Sequence, residues 1–193
     1  HARINEVSQF VLLGNVYVTT PCMQELMSRG ITFTWMSYGG WFMGHTVGTG
    51  HKNVELRTAQ YRASFDEARC LRLAKGLVEA KILNARTLLR RNWRQEEKPE
   101  ALLDALKEDA KSTRRTSSLA ELLGVEGNSA ARYFGVFANL IKPGATASGE
   151  FNFDFSARNR RPPTDPVNAL LSFSYSLLAR AFTVTLAAVG FDP

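Results

Sequence analysis

The stretch that most constrains this chain is its longest periodic one. Between Leu71 and Leu89, apolar side chains recur at roughly helical spacing, at Leu71, Leu73, Leu77, Val78, Ile82, Leu83, Leu88 and Leu89. Arg69, Arg72, Lys81, Arg86, Arg90 and Arg91 mostly fall between them. The pattern predicts one amphipathic helix from about Phe65 to Asn92, with Ser64 and Glu67 spaced as a capping box. Ser118 and Glu121 repeat that spacing and open a second helical stretch, which carries Glu126 and Arg132. Gly124 and Gly127 are its candidate bend points, and Lys142-Pro143-Gly144 its expected end. A final helix should start with Asp165 as its cap and Pro166 in its first turn, then run to Gly190. Residues 143–163 read as one functional loop, and no internal repeat is apparent.

The first quarter has a different period. Phe10 to Leu13, Val16 to Val18 and Ile31 to Trp35 are rich in β-branched and aromatic residues and bounded by glycines, so they read as strands. Between them Thr20 is placed to cap a short helix, Pro21 sits in its first turn, and Gly30 stops it. Gly50 to Asn53 has the composition of a linker, after which helical periodicity takes over. The expected fold class is α+β. A small β-rich domain spans residues 1–50, a linker 51–55, and a larger all-helical domain 56–193.

Charge follows the same division. Residues 1–51 hold two basic and two acidic side chains, so the formal net charge of +6 lies entirely in residues 52–193. A basic second half favours a polyanionic partner. No apolar run is expected to approach the roughly 18 residues a spanning helix needs, and no signal pattern opens the chain. The reading is a soluble, cytoplasmic protein with no membrane partner. Cys22 and Cys70 are too few for a cluster or structural zinc and read as free, buried thiols.

Glu126 stands out because it is acidic within an apolar, glycine-bracketed and alanine-rich stretch. A buried carboxylate needs a partner, and a divalent cation is one candidate; the alternatives are that Glu126 simply faces solvent or pairs with Arg132 or an arginine of the 158–161 cluster. Arg158, Arg160 and Arg161 precede a stiff Pro-Pro pair that would hold three guanidinium groups pointing one way, suited either to phosphate contact or to solvent. Asn168 and Tyr175, seven residues apart, share a face of the last helix. Arg86, Arg90, Arg91 and Arg94 form either a ridge for a duplex backbone or a solvated face. Lys111, Arg114 and Arg115, set among serines and threonines, read as a mobile loop able to order on DNA. His45 and His51 read as surface histidines.

Two strings carry a family resemblance: Gly124 to Phe134, and Arg160-Arg161-Pro162-Pro163-Thr164-Asp165-Pro166-Val167-Asn168 on to Phe173. With the G-N-V-Y-V-T-T-P segment at 14–21 and the R-x-x-Q-Y at 57–61, they resemble the catalytic domain of the CRISPR adaptation integrase, the first-numbered Cas protein. The resemblance implies an antiviral-defence enzyme that inserts captured protospacer DNA into a CRISPR array, through attack of a 3′-hydroxyl on a repeat phosphodiester. It makes Glu126 the first ligand of a Mg²⁺ or Mn²⁺ ion, with the other ligands expected beyond Pro193 in a Gly-Phe-x-His region. Asn168 and Tyr175 would line the catalytic pocket, and Arg86, Arg90, Arg132, Arg158, Arg160 and Arg161 are the candidate DNA contacts. The chain, which opens on His1, is expected to be truncated at both ends and inactive alone. Implied partners are double-stranded DNA, a second copy through the β-rich part, a dimer of the second-numbered Cas protein, and the fourth-numbered Cas nuclease, fused or in trans. Two rival readings are a non-catalytic DNA-binding scaffold subunit and a metal-dependent DNA endonuclease that needs no free 3′-hydroxyl.

Overall fold

The computed structural model describes residues 3–46, 53–142, 153–160 and 162–193. These divide into two compact units, His1–Arg62 together with Leu170–Pro193, and Ala63–Ala169.

The first unit is built on a three-stranded sheet, β1 (Gln9–Leu13), β2 (Thr32–Met36) and β3 (Phe42–His45), in that spatial order. β1 runs parallel to β2 with Gln9 opposite Thr32, and β3 runs antiparallel to β2 with His45 opposite Thr34. The parallel pair needs a crossover, which α1 (Thr20–Ser28) supplies. Alternation along the strands sends Leu12 and Phe33 to the face where Leu26 and Ile31 complete a small core. Val16 to Val18 do not form the expected strand. Gly14 turns the chain at φ +74°, and its amide donates to the Met36 carbonyl (2.9 Å), which closes the ladder and leaves Tyr17 98% exposed. Thr19, not Thr20, occupies the N-cap of α1, and its side chain makes no capping bond.

α2 (Val54–Ser64) starts where the Leu56 amide donates to Asn53 Oδ1 (3.2 Å). Its R-x-x-Q-Y residues grip the end of α6 (Pro166–Val189): Arg57 Nε donates to the Gly190 carbonyl (3.3 Å), and Tyr61 bonds the Asp192 carboxylate. Gln60 closes a two-way lock, its Nε2 donating to the Asp192 carbonyl (2.6 Å) while the Asp192 amide donates to its Oε1 (2.9 Å). These bonds are why the compact units do not follow the expected split at 51–55. Residues 54–62 and 170–193 belong with the sheet, and the expected linker lies partly outside the described residues.

Among the described residues, α6 is one helix long and apolar enough to cross a membrane by length and composition. This differs from the expectation that no apolar run approaches that length, because Ser172, Ser174, Ser176 and Arg180 interrupt the apolar residues without lowering the helix-long average enough to exclude it. Cys22 and Cys70 are both free, but neither is buried: Cys22 is exposed and Cys70 half-buried.

In the second unit α3 (Glu67–Asn92), α4 (Glu100–Ser112) and α5 (Leu119–Gly135) pack on one another around Ile82, Leu89, Leu103, Leu106 and Ala110. α3 is capped by Asp66, whose carboxylate accepts from the Arg69 amide (2.9 Å); Ser64 instead ends α2. The second capping box is present in shifted form. Ser118 Oγ accepts from the Glu121 amide (3.2 Å), while the Glu121 carboxylate reaches back to the Ser117 amide (2.7 Å) rather than that of Ser118. α5 runs unbroken through Gly124 and Gly127. The expected mobile loop at 111–118 is an ordered turn. Thr113 is fully buried and donates to the Ala110 carbonyl (2.8 Å), Thr116 donates to the Thr113 carbonyl (2.8 Å), and Arg114 forks onto Glu79 (2.6 and 3.2 Å).

Candidate functional site

α5 turns Leu122 and Ser129 inward and leaves Glu126 half-buried, with 23% of its side chain exposed. Its partner is none of those expected. Lys81 of α3 brings its Nζ against Glu126 Oε1 in an ion pair. Arg132, one turn and a half further along α5, pairs instead with the Asp109 carboxylate of α4, which also accepts from Ser129 Oγ (2.9 Å). A charged bond therefore ties α5 to each of its two helical neighbours. Glu126 offers a hard carboxylate oxygen, the donor type Mg²⁺ and Mn²⁺ prefer, and so fits one position of such a site. Among the described residues, no three His, Cys, Asp or Glu side chains cluster to hold a metal.

A second group centres on Asn168, in the first turn of α6 and fully buried. Its Oδ1 accepts from Arg158 Nη1 (2.7 Å) and from the Asn159 amide (3.0 Å). Its Nδ2 donates to the Ala157 carbonyl (2.8 Å) and to Asp165 Oδ2 (2.6 Å). An amide side chain has two donors and two acceptor lone pairs, and all four are used within the protein. Asn168 therefore positions the loop rather than touching a substrate. Asp165 caps α6 through its Oδ1, which accepts from the Asn168 amide (2.8 Å). Burial works to raise the Asp165 carboxyl, but the hydrogen bonds from Asn168 and Asn159 outweigh it and hold the group below the usual carboxylate range. Asn159 braces the Pro-Pro corner from inside, donating to Thr164 Oγ1 (2.7 Å) and accepting from the Thr164 amide (2.9 Å). Phe155 anchors the approach to this loop against Phe134 and Phe137, with ring centroids 6.4 and 5.0 Å away.

The three loop arginines do not act as one cluster. Arg158 is turned inward onto Asn168, Arg160 is exposed, and Arg161 lies outside the described residues. On α3, Arg86 Nε donates to the Leu103 carbonyl (2.8 Å), joining two helices. Arg90 is exposed, and no side-chain hydrogen bond or ion pair engages it among the described residues. Tyr175 is half-exposed on α6 and belongs to the first unit, whereas Glu126 and Asn168 belong to the second. His45 is half-buried rather than fully at the surface, and its Nε2 is buried where β3 pairs with β2; His51 lies outside the described residues.

Sequence reasoning missed Lys81, Asn159 and the α2 grip on Asp192. Lys81 had the one visible signal, a cation next to Ile82 at the edge of the apolar stripe, but its partner is 45 residues away.

The chain matches the family model "CRISPR associated protein Cas1" over residues 1–193. It is 55% identical over 197 residues to a CRISPR-associated exonuclease Cas4/endonuclease Cas1 fusion of Geobacter sulfurreducens, covering all of this chain and 35% of that protein. Across several curated relatives the chain spans between a third and about half of their length. A solved Cas6-RT-Cas1–Cas2 complex aligns with TM-score 0.75 at 25% identity, covering 97% of this chain and 20% of that one. A casposase bound to integration product shares the fold, with TM-score 0.77 at 21% identity over 97% of this chain and 51% of that one.

Proposed function

Because this chain belongs to the CRISPR-associated protein Cas1 family, we propose that it serves a CRISPR adaptation integrase, which inserts captured protospacer DNA into a CRISPR array. The observation that carries the reading is Glu126, a half-buried carboxylate fixed on a rigid helix at the position where the family motif calls for a metal ligand. In the reaction a 3′-oxygen loses its proton and bonds a repeat phosphorus as the repeat's own P–O3′ bond breaks, and the departing 3′-oxygen takes up a proton to leave as a new 3′-hydroxyl. The number of phosphodiesters is conserved, so no energy cofactor is consumed.

A Mg²⁺ or Mn²⁺ ion held at Glu126, with further ligands from outside the described residues, would neutralise charge building on that phosphate. The chain's own residues do the rest. Lys81 fixes the carboxylate, the Asn168 network sets the loop before α6, and the exposed Arg90 and Arg160 contact backbone phosphates. The placement of the net positive charge in residues 52–193 supports a duplex as partner. The Cas4 fusion among relatives and the Cas1–Cas2 complex among structural neighbours support Cas4 and Cas2 as protein partners. A second copy, joined through the β-rich part, completes the proposed assembly.

The test uses the complete protein with its Cas2 partner, Mn²⁺, and a labelled duplex with free 3′-hydroxyl ends. Joining of label to a repeat-bearing plasmid by the wild type, and its loss in Glu126→Ala with DNA binding retained, is the expected result. Binding without joining in both proteins would favour the scaffold reading, which gains support from the engagement of Glu126 by Lys81. Plasmid cleavage that persists when the 3′-hydroxyls are blocked would favour the endonuclease.

A further inference from the structure

α6 carries one charged side chain in its 24 residues, Arg180, and that side chain is turned inward, 7% exposed. Its Nη2 donates to Gln9 Oε1 on β1 (3.0 Å). Nε and Nη1 are buried and have no hydrogen-bond partner, and no carboxylate pairs with the guanidinium among the described residues. A buried, unpaired cation is among the costliest arrangements a fold can hold, several kcal/mol in typical cases.

The sheet register shows what else lies on that side. Gln9 stands opposite Thr32, and Thr34 stands opposite both Val11 and His45, so Gln9, Thr34 and His45 share one face. The other face is the one closed by Leu26 of α1 against Phe33. On the Gln9 face, Thr34 is fully buried with an unpartnered Oγ1, and His45 has a buried, unpartnered Nε2. The sheet thus sets two unsatisfied polar side chains, Thr34 and His45, on the face where Gln9 receives the unsatisfied Arg180 of α6.

We infer that this face holds an oxyanion, a carboxylate or phosphate-type group, with Arg180 as its principal ligand. The donor set selects that chemistry. A guanidinium has no acceptor, the Thr34 hydroxyl can donate, His45 Nε2 donates in one tautomer, and the Gln9 carbonyl oxygen already orients the arginine. No acidic side chain among the described residues competes for the guanidinium, which excludes a cation as the ligand. Gln9 itself is exposed, so the face borders solvent at its β1 edge. The oxyanion is either a free ion or the carboxylate of an acidic side chain of the assembled protein.

The complete protein, labelled with ¹⁵N-arginine, provides the test, with Arg180→Met identifying the Arg180 Nε–H resonance. A saturable shift of that resonance with phosphate or acetate at constant ionic strength, and a rise in wild-type melting temperature that Arg180→Met lacks, assigns a free oxyanion. A resonance already shifted as in an arginine–carboxylate pair, slow to exchange and unmoved by added anions, assigns a carboxylate of the protein. An unshifted resonance that ignores both anions overturns the inference and leaves a hydrated guanidinium.

Discussion

Lys81 on α3 and Glu126 on α5, 45 residues apart in sequence, meet in an ion pair that puts a cation directly on the carboxylate proposed as the first metal ligand. The ammonium holds the carboxylate in one orientation, and it lowers the local negative charge that would otherwise repel DNA phosphates. With 53% of the Lys81 side chain exposed, its contribution to stability is small, of order 1 kcal/mol or less. Lys81→Met should therefore shift the denaturation midpoint slightly while lowering joining by about tenfold or more, equivalent to roughly 1.4 kcal/mol of barrier. Lys81→Arg should recover part of the rate. Parallel urea melts and joining assays would show whether activity falls without stability.

Asn168→Ala should act in the opposite sense, through stability. It strips partners from Arg158, the Asn159 amide, the Ala157 carbonyl and Asp165 at once. Each buried group left unpaired costs about 1–3 kcal/mol, so a loss of several kcal/mol is expected in urea denaturation. A loss below about 1 kcal/mol would sink the positioning role.

The low Asp165 carboxyl makes a signed prediction. Its hydrogen bonds favour the ionised form, so its folded pKa lies below the unfolded one, and the stabilisation is complete above the ordinary carboxylate range. That stabilisation drains as pH falls through the folded value. The stability gap between wild type and Asp165→Asn should stay constant near neutrality and narrow in acid, as thermal melts between pH 7 and pH 3 would reveal.

The exposed and engaged arginines should separate in a salt titration. Arg90→Ala and Arg160→Ala should each weaken duplex binding without regard to sequence and reduce the slope of log K against log salt by about 1. Arg158→Ala, which loses its bond to Asn168, should lower the melting temperature instead. Filter binding across a salt series distinguishes the two classes.

Gln60→Ala should loosen the end of α6. The Asp192 amide donates to Gln60 Oε1, so its hydrogen exchange should accelerate by about tenfold or more, while amides of the α3–α4–α5 core keep their protection. Uniform acceleration across both units would mean that the lock is global rather than local.

The elements that could be read from sequence were those fixed by local chemistry. Gly30 past α1, the stripe of α3, Ser118 before α5, and Asp165 with Pro166 before α6 each carry their signal within a few residues. α4 passed unnoticed because no capping side chain marks its start at Pro99. The readings that differed depend on distant partners. Val16 to Val18 have strand-forming side chains but no ladder to join, and Thr113 looks like loop chemistry until its burial beneath α4 is seen. At the site, the type and position of Glu126 were legible, but the identity of its partner was not. Asn168 was recognised by its motif, yet only its four bonds reveal that it faces into the protein.

The bonds from Gln60 and Tyr61 to Asp192 join residues more than 130 positions apart, and the second unit lies wholly between the two parts of the first. During synthesis at roughly 5–20 residues per second, the sheet and α2 leave the ribosome on the order of ten seconds before their closing segment exists. The intervening helices, whose contacts are local, can assemble in that interval. The first unit, begun before the second, can therefore close its Gln60–Asp192 lock only after the second has been made, at the entropic cost of a loop more than 100 residues long.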